Sequence, residues 1–175
     1  MAKSSKKQID EDEKKVIEQL KKDSKISIEK IAKKCNFSRQ KVWRIIKKLD
    51  TDNTIWGYTA ITDYEKLDLK HYTALFKRTT APLSKDVINE VTKNYLEDRF
   101  PEGNISIENV LYLHGEYDWL ISFTAPNVKM MKKFCDILMN VFSSFIERYT
   151  VLETMIPIRK QGLKNPVANK MGEFL

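Results

Sequence analysis

Residues 38–48, SRQKVWRIIKK, gather hydrogen-bonding and cationic groups on one short segment. Arg39 and Gln40 each carry a planar fork of polar atoms able to form paired hydrogen bonds to a base edge, Arg to guanine and Gln to adenine. Trp43 completes the N-terminal half of the segment, the part of a recognition helix that approaches bases. Lys47 and Lys48 are point charges suited to phosphates, which position a protein on a duplex without conveying sequence. With Ser38, Lys41 and Arg44 these residues form a candidate DNA-contacting set.

Nothing comparable points to catalysis. His71 and His114 have no Cys, Asp or Glu at metal-ligand spacing. There is no Gly-rich phosphate loop, no H-E-x-x-H pattern and no Ser, His and Asp arrangement. No catalytic residue, metal or cofactor is therefore assigned. Cys35 and Cys135 fall on separate predicted helices, which argues against a disulfide framework and for a cytoplasmic chain. No window approaches the roughly 20 apolar residues of a membrane span. The start, MAKSSKKQIDEDEKK, lacks the apolar run of a secretory signal.

Three predicted helices must position the basic segment. Residues 1–8 read as a flexible basic arm. Asp10 opens the first helix with capping-box-like spacing to Glu13, and Val16, Ile17 and Leu20 form its buried stripe. Ser27 caps a second helix whose Ile28, Ile31, Ala32 and Cys35 share one face. Asn36 suits the left-handed residue of a sharp helix–helix turn, and Phe37 plugs the corner. Ser38 caps the third helix, with Val42, Ile46 and Leu49 as its buried stripe. Residues 9–54 thus read as a helix-turn-helix. Ile55 to Tyr58 read as a short hinge strand, and the span to residue 70 as a linker.

Charge sharpens this division. The chain carries 31 basic and 24 acidic residues, a net +7. Residues 1–58 hold 16 basic and 9 acidic residues, so 16 − 9 = +7, and the remainder holds 15 of each. A Lys-favouring codon bias explains the choice of Lys but not the location of the excess. A basic module on a neutral body implies one polyanion-binding part and one part with another task.

The remainder reads strand, helix, strand, strand, helix, strand. The first strand covers His71–Thr80. A helix follows from Pro82 to about Glu97, packing through Val87, Ile88, Val91 and Leu96. A hairpin joins Ile105–His114 to Tyr117–Thr124 across a tight two-residue turn at Gly115-Glu116. A second helix starts at Pro126, and Arg148–Ile158 closes the sheet. This order is the ferredoxin-like βαββαβ arrangement, which makes the whole chain α+β. Apolar residues on both faces of the hairpin imply that the open sheet face is covered, most economically by a second subunit.

The N-terminal pattern IDEDEKKVIEQLKKDSKISIEKIAKKCNFS, then Val42, Ile46 and Leu49, then TIWGYTA, with YLHGEYDWLISF at 112–123, resembles the Lrp/AsnC (feast/famine) transcription regulators. The resemblance runs from about Asp10 to Lys160. It implies an N-terminal winged/helix-turn-helix domain that binds double-stranded DNA, and an effector-binding and oligomerisation domain at 71–160. It also implies homodimers that assemble further, for example into octamers, and an amino acid or similar metabolite bound near the hairpin. By position, Gly115, Glu116, Tyr117 and Asp118 match the family's effector turn. The implied setting is the cytoplasm, in association with the nucleoid. Three departures stand out. Ser24, Asn36 and Asn53 replace frequent glycines, Ile45 stands where Arg is frequent, and Phe100–Asn104 reads as an insertion. Residues 161–175 form a tail beyond the family pattern. Two other readings share the architecture: a siroheme-decarboxylase-like enzyme using His71 and His114, and a low-specificity nucleoid or architectural protein.

Overall fold

The computed structural model describes residues 10–82, 85–92 and 105–174. The arm at 1–8, the end of the helix expected to reach Glu97, and the insertion at 100–104 lie outside the described residues. The chain forms two compact units. One runs to Ile61 and also takes in Ile158–Ala168; the other comprises Thr62–Pro157 with the residues from Asn169 onward.

In the first unit, helices α1 (Glu11–Lys22), α2 (Ile28–Cys35) and α3 (Arg39–Thr51) follow the expected caps. The Asp10 carboxylate accepts from the backbone N–H groups of Asp12 and Glu13, both at 3.0 Å. Glu13 does not complete a reciprocal capping box; its side chain turns inward and is buried. Ser27 Oγ accepts from Lys30 N at 3.3 Å, and Ser38 Oγ from Lys41 N at 3.2 Å. Asn36 takes the left-handed conformation at φ 56°, and Phe37 N donates to Ala32 O at 2.9 Å to close the corner. Asn53 is left-handed too, whereas Ser24 is not among the positive-φ residues. A side-chain amide makes that conformation tolerable where a bulkier residue is strained.

The core of this unit is Val16, Ile31, Ala32, Val42, Ile45 and Leu49. This corrects the expected stripe of α3. Ile45 is only 9% exposed and Ile46 packs at the margin. Both spacings are helical, and the angle at which α3 docks on α1 and α2 decides between adjacent isoleucines. The position where Arg is frequent in the resembling family is therefore turned inward here.

Residues 55–58 correct a second expectation. They are not in a strand ladder. Ile55 N bonds back to Leu49 O at 3.0 Å and Tyr58 Oη donates to Asp50 at 3.2 Å, while Trp56 is 96% exposed. A strand needs a neighbour's N–H and C=O groups, and none of the described residues pairs with this segment in a ladder.

The first unit also contains a small hairpin where a tail was expected. Strands β5 (Arg159–Lys160) and β6 (Leu163–Lys164) pair antiparallel around Gln161 and Gly162. Both turn residues have positive φ, 48° and 84°. That is the geometry of a type I′ turn, whose twist matches a two-stranded ribbon.

The second unit holds a four-stranded antiparallel sheet in the order β2-β3-β1-β4. Its strands are β1 (Lys70–Arg78), β2 (Ser106–Tyr112), β3 (Trp119–Ala125) and β4 (Ile146–Glu153). With helices α4 (Lys85–Thr92) and α5 (Val128–Val141) this is the ferredoxin-like order. Tyr72, Ala74 and Phe76 of β1, with Ile121 and Phe123 of β3, pack against Phe134, Cys135 and Leu138 of α5. Ile88 on α4, expected to pack, is 46% exposed. On the opposite sheet face the pairings Leu111↔Leu120, Leu75↔Leu120 and Leu75↔Thr150 set one row across all four strands.

The β2–β3 connection is longer than expected. The last strand pair is Tyr112↔Trp119, and Leu113 N donates to Asp118 O at 2.7 Å. The loop is therefore His114–Tyr117 rather than the two residues Gly115-Glu116. Asp118 is held from another side: its N–H donates to Phe76 O at 2.9 Å and its Oδ2 accepts from Arg78 N at 3.0 Å. The register is the expected one, with Leu113 facing Asp118, but the ladder stops there and does not continue to His114 and Tyr117.

Candidate nucleic-acid interface

The sequence-derived residues of α3 divide by direction. Ser38 spends its hydroxyl on the helix cap. Lys41 points back toward α1, with Nζ 2.5 Å from Asp12 Oδ2 and 4.1 Å from the Phe37 ring centroid. Lys48 also turns to α1, where the Glu13 carboxylate holds it. That hydrogen bond pushes the Lys48 ammonium pKa above its ordinary range. Both lysines are ion-paired within the unit and brace α3 against α1.

The outward face carries Arg39, Gln40, Trp43, Arg44 and Lys47. Trp43 is 52% exposed, and the Lys47 ammonium lies 5.1 Å from its ring centroid. Arg44 Nε donates to Gln40 O at 3.4 Å. Arg39, Gln40, Trp43 and Arg44 line a shallow concavity with Ser38 and with Ile28 from the start of α2. Here two cations flank an indole and an amide, a surface suited to a base edge with its adjoining phosphates.

Two contributors escaped the sequence reading. Ile28 was assigned wholly to the core, yet it also lines the concavity. Glu29 forms an ion pair with Arg39. Its carboxyl lies below the usual range, first through a backbone hydrogen bond, then through the Ser27 hydroxyl and the Arg39 charge. The legible signal was an acidic residue in the first turn of α2, where the helix dipole favours it.

In the second unit, Glu116 lies 3.8 Å from Arg148 and Tyr117 Oη lies 3.3 Å from Thr150 Oγ1. Asp118, also 3.4 Å from Lys77 Nζ, serves as a latch between the loop and β1. At Gly115 an added Cβ meets nothing within 4 Å. The loop therefore places Glu116 and Tyr117 beside β4, with Asp118 fastened beneath them.

The two histidines do not converge with a catalytic set. His71 Nδ1 lies 2.7 Å from Thr154 Oγ1, and Nε2 lies 3.6 Å from Glu108. Its ring stacks on Tyr64 at 5.2 Å, and Tyr64 Oη donates to Glu108 at 2.6 Å. This cluster docks the segment around residue 64 onto the sheet. His114 sits exposed in the β2–β3 loop. Among the described residues, no group of three or more His, Cys, Asp or Glu is placed to hold a metal ion. No helix among them is long and apolar enough to cross a membrane.

Residues 9–55 match the winged helix-turn-helix DNA-binding family. The chain thus joins a helix-turn-helix DNA-binding domain to an α+β unit of ferredoxin-like order. Solved structures extend the likeness to most of the chain. An AsnC family transcriptional regulator from Agrobacterium tumefaciens is 22% identical with a TM-score of 0.66, covering 87% of this chain and 94% of that one. Bacillus subtilis LrpC is 22% identical with a TM-score of 0.61, covering 86% and 97%. A Neisseria meningitidis transcriptional regulator in an L-Met complex is 16% identical with a TM-score of 0.64, covering 87% and 93%. The protein has the fold of the Lrp/AsnC transcription regulators. No curated protein matches the sequence.

Proposed function

We propose that this protein is a sequence-specific, DNA-binding transcription regulator of the Lrp/AsnC type, acting in the cytoplasm on the nucleoid. The observation that carries the reading is the outward face of α3. Arg39, Gln40, Trp43, Arg44 and Lys47 stand clear of the core on a helix-turn-helix that matches a DNA-binding family. Gln40 and Arg39 read bases, Trp43 packs against them, and Arg44 and Lys47 hold phosphates. Lys41 and Lys48 act indirectly, by fixing the helix. The reading is non-enzymatic, and it is favoured over a tetrapyrrole enzyme because His71 is engaged by Thr154, Tyr64 and Glu108.

The second unit assembles subunits and senses a metabolite. A homodimer is supported by the leucine row on the sheet face away from α5, where Leu111 and Leu152 remain exposed. The unpaired extended segment with Trp56 offers a second self-complementary edge. An amino-acid effector is supported by the L-Met complex of the N. meningitidis regulator. Glu116 and Tyr117 are the groups that meet it, while Gly115 leaves room and Asp118 holds the loop. Effector binding shifts occupancy only if it favours one assembly state over another.

Fluorescence anisotropy with genomically selected and random duplexes tests the DNA reading. Affinity for selected DNA above random DNA is expected. A flat affinity would instead make this an architectural protein. Calorimetry with the twenty amino acids, on wild type and Glu116→Gln, tests the sensor; heat from none of them removes the amino-acid assignment.

A further inference from the structure

We propose that the hairpin Ile158–Ala168 is a wing of the DNA-binding unit, gripping duplex phosphates through Arg159 and Lys164. This rests on the DNA-binding reading of α3 and extends it to residues beyond the winged helix-turn-helix match.

The first observation is placement. Although more than ninety residues separate it from the helices in sequence, the hairpin groups with the helix-turn-helix and not with the sheet it follows. The second is charge. Ile158–Ala168 contains Arg159, Lys160 and Lys164 and no acidic residue. Counted by unit, the first holds 16 + 3 = 19 basic and 9 acidic residues, a net +10. The second holds 31 − 19 = 12 basic and 24 − 9 = 15 acidic residues, a net −3. The polarity of the chain is thus steeper by unit than by sequence third, and the hairpin supplies the difference.

The third observation is the pairing. Arg159 lies directly opposite Lys164 across the two strands. Like charges in that position repel and weaken a ladder. Both side chains are exposed, and among the described residues neither pairs with a carboxylate. The exposed, water-screened pair repels only weakly, and it leaves two cations facing one side of the ribbon, free to meet a polyanion such as the duplex proposed for the helix-turn-helix of the same unit. The type I′ turn and the bond from Arg159 Nη1 to Gly162 O at 3.3 Å hold the ribbon in shape before binding. Little ordering is then lost when phosphates engage.

The test uses the full chain and anisotropy titrations of selected and random duplexes across a salt series. In R159Q/K164Q, the slope of log affinity against log salt is expected to fall by about 1.8 per bound subunit, for two lost phosphate contacts in each. Affinity at physiological salt is expected to fall about tenfold on both duplexes alike. K129Q/K132Q removes the same charge from α5 of the other unit and is expected to leave the slope unchanged. Thermal melts by circular dichroism are expected to be unchanged or raised for R159Q/K164Q, because a repulsive pair is removed. The charge-retaining R159K/K164R is expected to keep the wild-type slope. A wild-type slope in R159Q/K164Q overturns the wing, whether the hairpin is then idle or serves an acidic protein. An equal fall in K129Q/K132Q overturns it too, leaving only bulk charge. Failure of the wild type to bind DNA at all would instead remove the reading of α3.

Discussion

Lys48 of α3 is bound by Glu13 of α1, a carboxylate that the core almost closes off from water. About two turns earlier on the same side, Lys41 meets Asp12. Two of the most conspicuous cations of α3 are therefore struts, and cationic composition alone overstates how much of its charge faces outward.

Lys47 and Lys48 are neighbours in sequence with opposite expected phenotypes. Lys48→Ala strands the Glu13 carboxylate and is expected to lower the melting temperature with no change in the salt slope of DNA binding. Lys47→Ala is expected to leave melting unchanged and to reduce that slope by about 0.9 per bound subunit. Paired melting and anisotropy measurements check the contrast.

Under the proposed DNA reading, Glu29 competes with DNA for Arg39, its ion-pair partner. Glu29→Gln frees the guanidinium and removes a negative charge beside the concavity, so affinity is expected to rise on all duplexes. Arg39→Ala is expected to cost about 1–3 kcal/mol on the selected sequence and less on random DNA. The depressed carboxyl fixes the sign of the pH effect. The pair is complete above the ordinary carboxylate range and is lost only as pH falls through the depressed value. Binding between about pH 6 and 8 should therefore show no contribution from it. Titrations at the two ends of that window test this.

Ile45→Arg installs the residue frequent in the resembling family. Because the side chain is in the core here, the expected result is a loss of about 2 kcal/mol of stability, not tighter DNA binding. Urea denaturation together with anisotropy decides between the two outcomes.

Tyr64 links the chain entering β1 to Glu108 on β2. Burial first, then the hydrogen bond to Glu108 and its charge, raise the phenol pKa. A folded-state value above the unfolded one contributes stability below about pH 10, and that contribution is lost as pH rises through the folded value. Alkaline unfolding above about pH 10 is thus expected to be shallower in Tyr64→Phe. At neutral pH the same variant should lose about 1.5 kcal/mol, the worth of a hydrogen bond to a charged group. Denaturation curves across pH check both.

What was legible in the residues was local or periodic. Asp10, Ser27 and Ser38 announce helix starts because short polar side chains satisfy free N–H groups, and Asn36 announces a turn because few residues tolerate its backbone. The strand and helix order of the sheet unit follows from alternation and spacing. What was not legible depends on distant partners. Ile45 and Ile46 are both apolar, and only docking separates them. The Lys48–Glu13 pair spans 35 positions, so no periodicity announces it. Residues 55–58 have strand composition but no ladder partner among the described residues. β5 and β6 are two residues each and mostly charged, so they show no alternation to read.

The grouping of Ile158–Ala168 with the helices has a consequence for how such a gene can be handled. A DNA-binding head written in one continuous stretch can be cut out and fused elsewhere as a cassette. Here the head is encoded in two places, with the sheet unit spliced between them. With the proposed wing, an excised fragment ending at Ile61 lacks part of its DNA-gripping surface, and a chimera that trades heads with another regulator would have to exchange both stretches or leave a mismatched ribbon behind.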